Sequence, residues 1–173
     1  MSDLKMHSTS ASERAQVLAE YQIIGTPPET AYDEITDIAS KVFECPIALV
    51  VLLDEKRQWY KSRIGMDVPE NPLDNAFCTH TIMEPDMLVV PDATKDSRFA
   101  DNPFVSQGSG IRFYAGVPLV SASGVALGSL CVIDRKPHNI TDVQSDVLRS
   151  LGKQVVELFE KRRATLSSTA PAS

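Results

Sequence analysis

Runs of apolar and polar positions divide the chain into segments with two different periods. A short helix is predicted from Ser12, with Leu18 and Tyr21 on one face, stopping at Gly25. Thr26-Pro27-Pro28-Glu29 then reads as a capping box: an N-cap hydroxyl, proline at the first helical position and a glutamate three residues after the cap. A second helix is expected from Pro27, because Ala31, Ile35, Ile38, Ala39, Val42 and Phe43 step by three and four up to the break at Pro46. The unbroken run from Ile47 to Leu53 is too short for a helix and rich in strand formers, so it predicts a central strand. Arg57 to Ile64 mixes aromatic and charged residues before Gly65 and predicts a hairpin partner exposed at a sheet edge, where Trp59 and Tyr60 could meet a partner.

Beyond that point the pattern is more broken. Met66 to Asp74, with Pro69 and Pro72, is expected to be loop. Ala76 to Glu84 suits a short helix, and Leu88 to Val90 a short strand. Ala93 to Gly110 predicts a long crossover loop with helical turns capped by its polar residues. Ile111 to Val120 and Val125 to Asp134 form the clearest hairpin. Thr141-Asp142-Val143-Gln144 is a second capping box, opening a long helix with Val147, Leu148, Leu151, Val155, Leu158 and Phe159 on its apolar face. Antiparallel strands with segregated helices define an α+β fold of one domain over 13–163, between tails at 1–12 and 164–173 expected to be disordered.

Composition narrows the function classes. The 173 residues carry a net charge of −6, and the one basic cluster, Lys161-Arg162-Arg163, falls at a helix end where it complements the dipole. Nucleic-acid binding, which depends on neutralising phosphates, is not expected. The start lacks the apolar core of a secretory signal, and no stretch approaches the roughly 20 apolar residues of a membrane span, so a cytoplasmic protein without a membrane partner is expected. Cys45, Cys78 and Cys131 are too few and too far apart for a disulfide framework or a CxxC-type metal site; reduced thiols and no metal are expected.

Seven segments in order resemble the GAF domains, sensor modules of bacterial signalling proteins: TPPE at 26–29, PIALVVLLD at 46–54, RQWYKSRIG at 57–65, AFCTHTI at 76–82, VVPDATKDSRFADNPFV at 89–105, IRFYAGVPL at 111–119 and GSLCVIDRKP at 128–137. The resemblance implies a central antiparallel sheet of five to six strands, with the N- and C-terminal helices on one face. On the other face a helix and the long loop would form a small-molecule pocket. It also implies signal transduction, with a histidine kinase or cyclase effector supplied in trans. Bilin attachment is not expected, because the region before the final hairpin, NPFVSQGSGIRFY, has no cysteine. The cyclic-nucleotide signature of the family is also missing, so no cofactor is expected beyond an unidentified small molecule.

The candidate ligand-binding residues are Phe77, Cys78, His80, Asp92, Asp96, Arg98, Phe99, Asn102, Phe104, Phe113 and Tyr114. Cys78 and His80 offer a thiol and an imidazole. On a helix, however, positions two apart point about 200° from each other, so a buried thiol and a hydrogen-bonded histidine are expected rather than a catalytic pair. Arg98 could clamp a carboxylate or phosphate, yet Asp92, Asp96, Arg98 and Asn102 could equally cap turns and tie the loop down. The aromatic residues suit a pocket lining or a plain core. Leu148, Leu151, Val155 and Leu158 follow a 3,4,3 spacing that continues to Arg162, which suggests a homodimer through the terminal helices. No catalytic residue is assigned. The alternatives are a thiol-dependent reductase, similar to the free methionine sulfoxide reductases of this fold, using Cys78 with Cys131 or Cys45, and a ligand-free protein interaction scaffold.

Overall fold

The computed structural model describes residues 7–74, 76–107 and 110–168. In chain order it contains α1 (Ala11–Tyr21), α2 (Thr30–Phe43), β1 (Ile47–Leu53), β2 (Arg57–Ile64), β3 (Glu70–Pro72), α3 (Cys78–Thr81), β4 (Leu88–Val90), α4 (Pro103–Ser106), β5 (Phe113–Val120), β6 (Ala126–Asp134) and α5 (Asp142–Ser168), with a 3-10 turn at Ala93–Lys95. The six strands form one sheet in the order β3-β2-β1-β6-β5-β4, antiparallel throughout. This is the α+β arrangement the sequence pattern implies.

The unbroken apolar run of β1 is explained by its position, since it is buried on both faces at the sheet centre. Ala48, Val50 and Leu52 join the core shared with α1, α2 and α5, whereas Ile47, Leu49, Val51 and Leu53 join a second core under α3, β4 and the long loop. Gly128 allows β1 and β6 to approach closely. A Cβ there would lie 1.8 Å from the carbonyl oxygen of Val51.

Local signals succeed where no tertiary contact competes with them. The second capping box forms: the Gln144 amide nitrogen donates to Thr141 Oγ1 at 3.1 Å and the Thr141 amide to Gln144 Oε1 at 2.9 Å. The first does not. α2 starts at Thr30 rather than Pro27, and its N-cap Glu29 makes no side-chain cap bond. Lys61 of β2 explains the difference, because its side chain is fully buried and requires an anion. Lys61 Nζ lies 2.5 Å from Glu29 Oε2 and donates to Thr26 Oγ1 and the Pro27 carbonyl, both at 2.8 Å.

Other boundaries also move. α1 ends at Tyr21, with Gln22 left-handed at φ 49°, before the expected stop at Gly25. β2 is not an exposed edge: β3, expected as loop, pairs outside it, and Trp59 and Tyr60 are buried in opposite cores. The expected N-terminal tail is structured from His7, since Ser8 bridges to Val125 and accepts at its carbonyl from the Ala126 amide at 2.9 Å. Arg14, buried, donates from Nε to the Leu53 carbonyl at 3.0 Å. At the other end α5 runs five residues beyond the expected limit at 163, to Ser168. Residues 1–6 and 169–173 of the expected tails lie outside the described residues.

Candidate functional site

The second core contains a buried polar group among aromatic rings. Phe77 N-caps the single turn of α3 and stacks on Phe99, with centroids 4.1 Å apart and planes 8° from parallel. Tyr114 of β5 lies beside Phe77 at 5.1 Å, completely buried. Its ring fits because position 116 is glycine; a Cβ there would lie 2.5 Å from the Tyr114 hydroxyl. That hydroxyl lies 2.6 Å from Thr81 Oγ1 and 3.4 Å from Ser129 Oγ of β6. Cys78 Sγ lies 3.0 Å from Ser129 Oγ and 3.6 Å from the same phenol. Each buried polar atom of the group therefore has a partner.

Beside this network is a cavity of about 50 Å³, lined by Leu49, Gln58, Tyr60, Met66, Asn71, Ala76, Phe77, Cys78, Phe104, Ile111, Tyr114, Cys131 and Ile133. That volume holds a few water molecules. None of the thirteen lining residues carries a formal charge at neutral pH. Burial pushes the Tyr60 and Tyr114 phenols above their ordinary range. Its neighbour Cys78, followed by burial, pushes the Cys131 thiol up, and the same pairing draws Cys78 down against its burial. Asn71 Nδ2 donates to the Tyr60 hydroxyl at 2.8 Å, so an amide and a phenol are arranged on one wall.

Of the residues the sequence singles out, Phe77, Cys78, Phe104 and Tyr114 line this cavity, and Phe99 backs it through the stack. The others lie elsewhere. His80 is exposed and meets Phe99 edge-on at 4.8 Å, and among the described residues it forms no hydrogen bond of the kind expected. Burial, then the nearby Arg98 charge, lowers its pKa. Arg98 is committed to Asp96 by two bonds, Nε to Oδ1 at 3.0 Å and Nη2 to Oδ2 at 2.7 Å, and this hydrogen bonding holds the Asp96 carboxyl below its usual range. Asp92 accepts from the Thr94 amide at 3.0 Å, and Asn102 from the Phe104 amide at 2.9 Å. These four residues tie the loop down, which is one of the two readings their types allowed.

Phe113 is a correction. As the neighbour of Tyr114 on a strand it points to the opposite face, into the core under the helices, 6.5 Å from Phe43. The proposed dimer residues need a similar correction. Leu148, Leu151 and Val155 are buried within this chain, and Arg162 donates to the Tyr21 and Gln22 carbonyls at 2.6 and 2.7 Å; Leu158 and Arg162 stay partly exposed. Sequence reasoning missed Gln58, Tyr60, Asn71, Thr81 and Ser129 as parts of this site, and named Cys131 only as a redox partner for Cys78. The alternation of β2 and β6 could have placed Tyr60, Ser129 and Cys131 on this face, but Asn71 depended on the unforeseen β3.

A six-stranded antiparallel sheet with terminal helices on one face and a small cavity under short helical turns on the other is the architecture of GAF domains. The chain belongs to the GAF domain family, whose sequence model matches residues 27–157. A cyclic di-GMP phosphodiesterase of Pseudomonas aeruginosa is 47% identical over 110 residues, which are 64% of this chain and 19% of that protein. The chain thus spans about a fifth of that relative's length. Among solved structures, the GAF domain of a phosphoenolpyruvate-protein phosphotransferase from Coxiella burnetii superposes with a TM-score of 0.65 at 11% identity, covering 92% of this chain and 99% of that one. A free methionine-R-sulfoxide reductase from Neisseria meningitidis, in complex with its substrate, superposes at 0.63 with 17% identity over 95% and 99%. At these identities the two structures share a fold with this chain. Among the described residues, no helix is long and apolar enough to cross a membrane.

Proposed function

We propose that this GAF domain is a non-catalytic regulatory module of cytoplasmic signal transduction that senses a small uncharged molecule in the cavity behind Phe104. The observation that carries this reading is the lining itself: hydroxyl, amide and thiol groups among apolar walls, with no formal charge. Such a site orients a neutral ligand through a few hydrogen bonds and has no cation to hold a phosphate. Anything larger than a few waters must displace Phe104, which is 39% exposed, or part the Phe77–Phe99 stack. Ligand occupancy would thereby select between two settings of the long loop, by no more than the difference in ligand affinity between them.

The name of the Pseudomonas relative suggests enzymes of cyclic di-GMP turnover as the effector class, with a histidine kinase as the alternative. A homodimer would use the surface left after intrachain packing, the groove between α2 and α5 where Ile38 and Leu158 are accessible. A monomeric mass in light scattering at tens of micromolar protein would exclude it.

The thiol-reductase reading has less support. Cys45 lies in the helical core, across the sheet from Cys78, and Cys78 and Cys131 are 3% and 0% exposed. Native mass spectrometry against the denatured mass tests the sensor reading. A defined excess mass of one small neutral molecule per chain is expected, reduced in the Asn71→Leu variant. Turnover of free methionine sulfoxide that is abolished by Cys78→Ser would overturn the proposal.

A further inference from the structure

A second cluster of reactive side chains lies away from the cavity, where the end of α2, the end of β6 and the lead-in to α5 meet. Cys45 follows α2, Asp134 closes β6, and His138 lies four residues further on. A thiol sulfur, a carboxylate oxygen and an imidazole nitrogen from these three residues all lie within 4.8 Å of one another. Cys45 and Asp134 are buried; His138 is partly open to solvent. Sequence spacing gives no sign of this convergence, because Cys45 is brought in from the other end of the domain.

The backbone around each group is fixed. The Cys45 amide donates to the Ser40 carbonyl at 3.0 Å, and Ser40 Oγ returns a bond to the Cys45 carbonyl at 2.6 Å. The His138 amide donates to the Pro91 carbonyl at 3.2 Å, and its ring rests on Phe113 with centroids 4.9 Å apart. Asp134 Oδ1 accepts from the Arg135 amide at 2.7 Å, and Oδ2 lies 2.5 Å from His138 Nε2. Among the described residues no lysine or arginine side chain pairs with this buried carboxylate. The carboxylate's side-chain partner is the His138 ring, itself a metal ligand by type.

We propose that Cys45, Asp134 and His138 form a three-ligand site for a divalent transition-metal ion of the zinc type, with the fourth position open to solvent beside His138. A thiolate together with an imidazole selects against calcium and magnesium, which take oxygen ligands. Zinc bonds of about 2.0–2.3 Å in tetrahedral array place ligand atoms about 3.3–3.6 Å apart. The three groups reach that spacing by side-chain adjustment: Cys45 closes in, and His138 moves about 1 Å from Asp134 on its solvent side. On binding, the Cys45 thiol releases one proton to solvent and ligates as thiolate. Bonds to the metal replace the Asp134–His138 hydrogen bond, and the proton that His138 Nε2 shares with Asp134 moves to Nδ1, or to solvent where Nδ1 already carries one. An ion held there clips α2, the sheet and the start of α5 together, independently of whatever occupies the cavity across the sheet.

Cobalt titration of the whole chain, followed by absorption spectroscopy, tests this. The expected result is one cobalt per chain with a near-ultraviolet thiolate-to-cobalt charge-transfer band, displaced by zinc, and a rise in Tm on adding zinc. Cys78→Ser should keep the band. His138→Gln, at a partly exposed position, should weaken binding at least about tenfold, and Cys45→Ala should abolish the charge-transfer band. Circular dichroism of the metal-free variants confirms folding, and if Cys45→Ala fails to fold, His138→Gln decides. A wild-type protein that shows no thiolate-to-cobalt band, or a band equally strong in folded His138→Gln, overturns the proposal.

Discussion

The two faces of the sheet are covered by opposite means. On one, α1, α2 and α5 lay 52 helical residues over an apolar core in which β1, β5 and β6 supply alternate side chains. On the other, two four-residue helices and a 3-10 turn cover the same strands, and the core beneath them includes Cys78, Thr81, Tyr114 and Ser129 in a hydrogen-bonded group. Long helices bury area in one cooperative unit, whereas short turns are held by individual side-chain bonds such as Asp96–Arg98 and Asn102 to Phe104. The helical face supplies most of the burial, and under the proposed function the other face is the one that would rearrange around a ligand without dismantling the domain.

Truncating the helical face should have the largest effect. Leu148→Ala, at a fully buried position, is expected to cost about 2–5 kcal/mol, read as a lower urea midpoint with unchanged slope. An effect under about 1 kcal/mol would mean that α5 is not part of the stabilising unit. On the pocket face, Tyr114→Phe keeps the ring and removes the hydroxyl that joins Thr81, Cys78 and Ser129. About 1–2 kcal/mol is expected, from polar groups left short of a partner.

Phe104→Ala sharpens the comparison from the other side. The ring is 39% exposed, so its loss should change stability by less than about 1 kcal/mol, while opening the cavity should speed alkylation of Cys78 by a small thiol reagent. Unchanged Cys78 reactivity would show that the mouth lies elsewhere. The smallest effect concerns Asp96, whose folded pKa is depressed mainly by its hydrogen bonds from Arg98. A depressed carboxylate contributes stability above its unfolded pKa and loses that contribution as pH falls through the folded value. Asp96→Asn should therefore cost about 0.5 kcal/mol or less at neutral pH, and the gap to wild type should close on acidification below the ordinary carboxylate range. A gap that widens with acid would reverse the assignment.

The sequence was most legible where periodicity alone decides. The β1 run, the β5–β6 hairpin and the capped start of α5 were placed from residue types, because each depends on neighbours a few positions away. The site was legible in part. Phe77, Cys78, Phe104 and Tyr114 do share one cavity, yet Phe113 was assigned to it against the strand alternation that sends it to the other face. Asn71 could not be found, since nothing local indicates that a three-residue strand brings it to the cavity wall beside Gln58.

The sequence by itself determined the α+β class and the order of the principal elements, since hydrophobic period and turn chemistry are local properties; the family entered separately, as a resemblance carried by seven segments. Tertiary structure decided what depends on distant partners. Glu29 left its capping role because a buried lysine required its charge, Arg98 was neutralised within its own loop, and Leu148, Leu151 and Val155 were used inside the chain. Cys45 met Asp134 and His138 for the same reason. The free energy of a charge, a thiol or an apolar side chain is set by what surrounds it, and those surroundings exist only once the chain has folded.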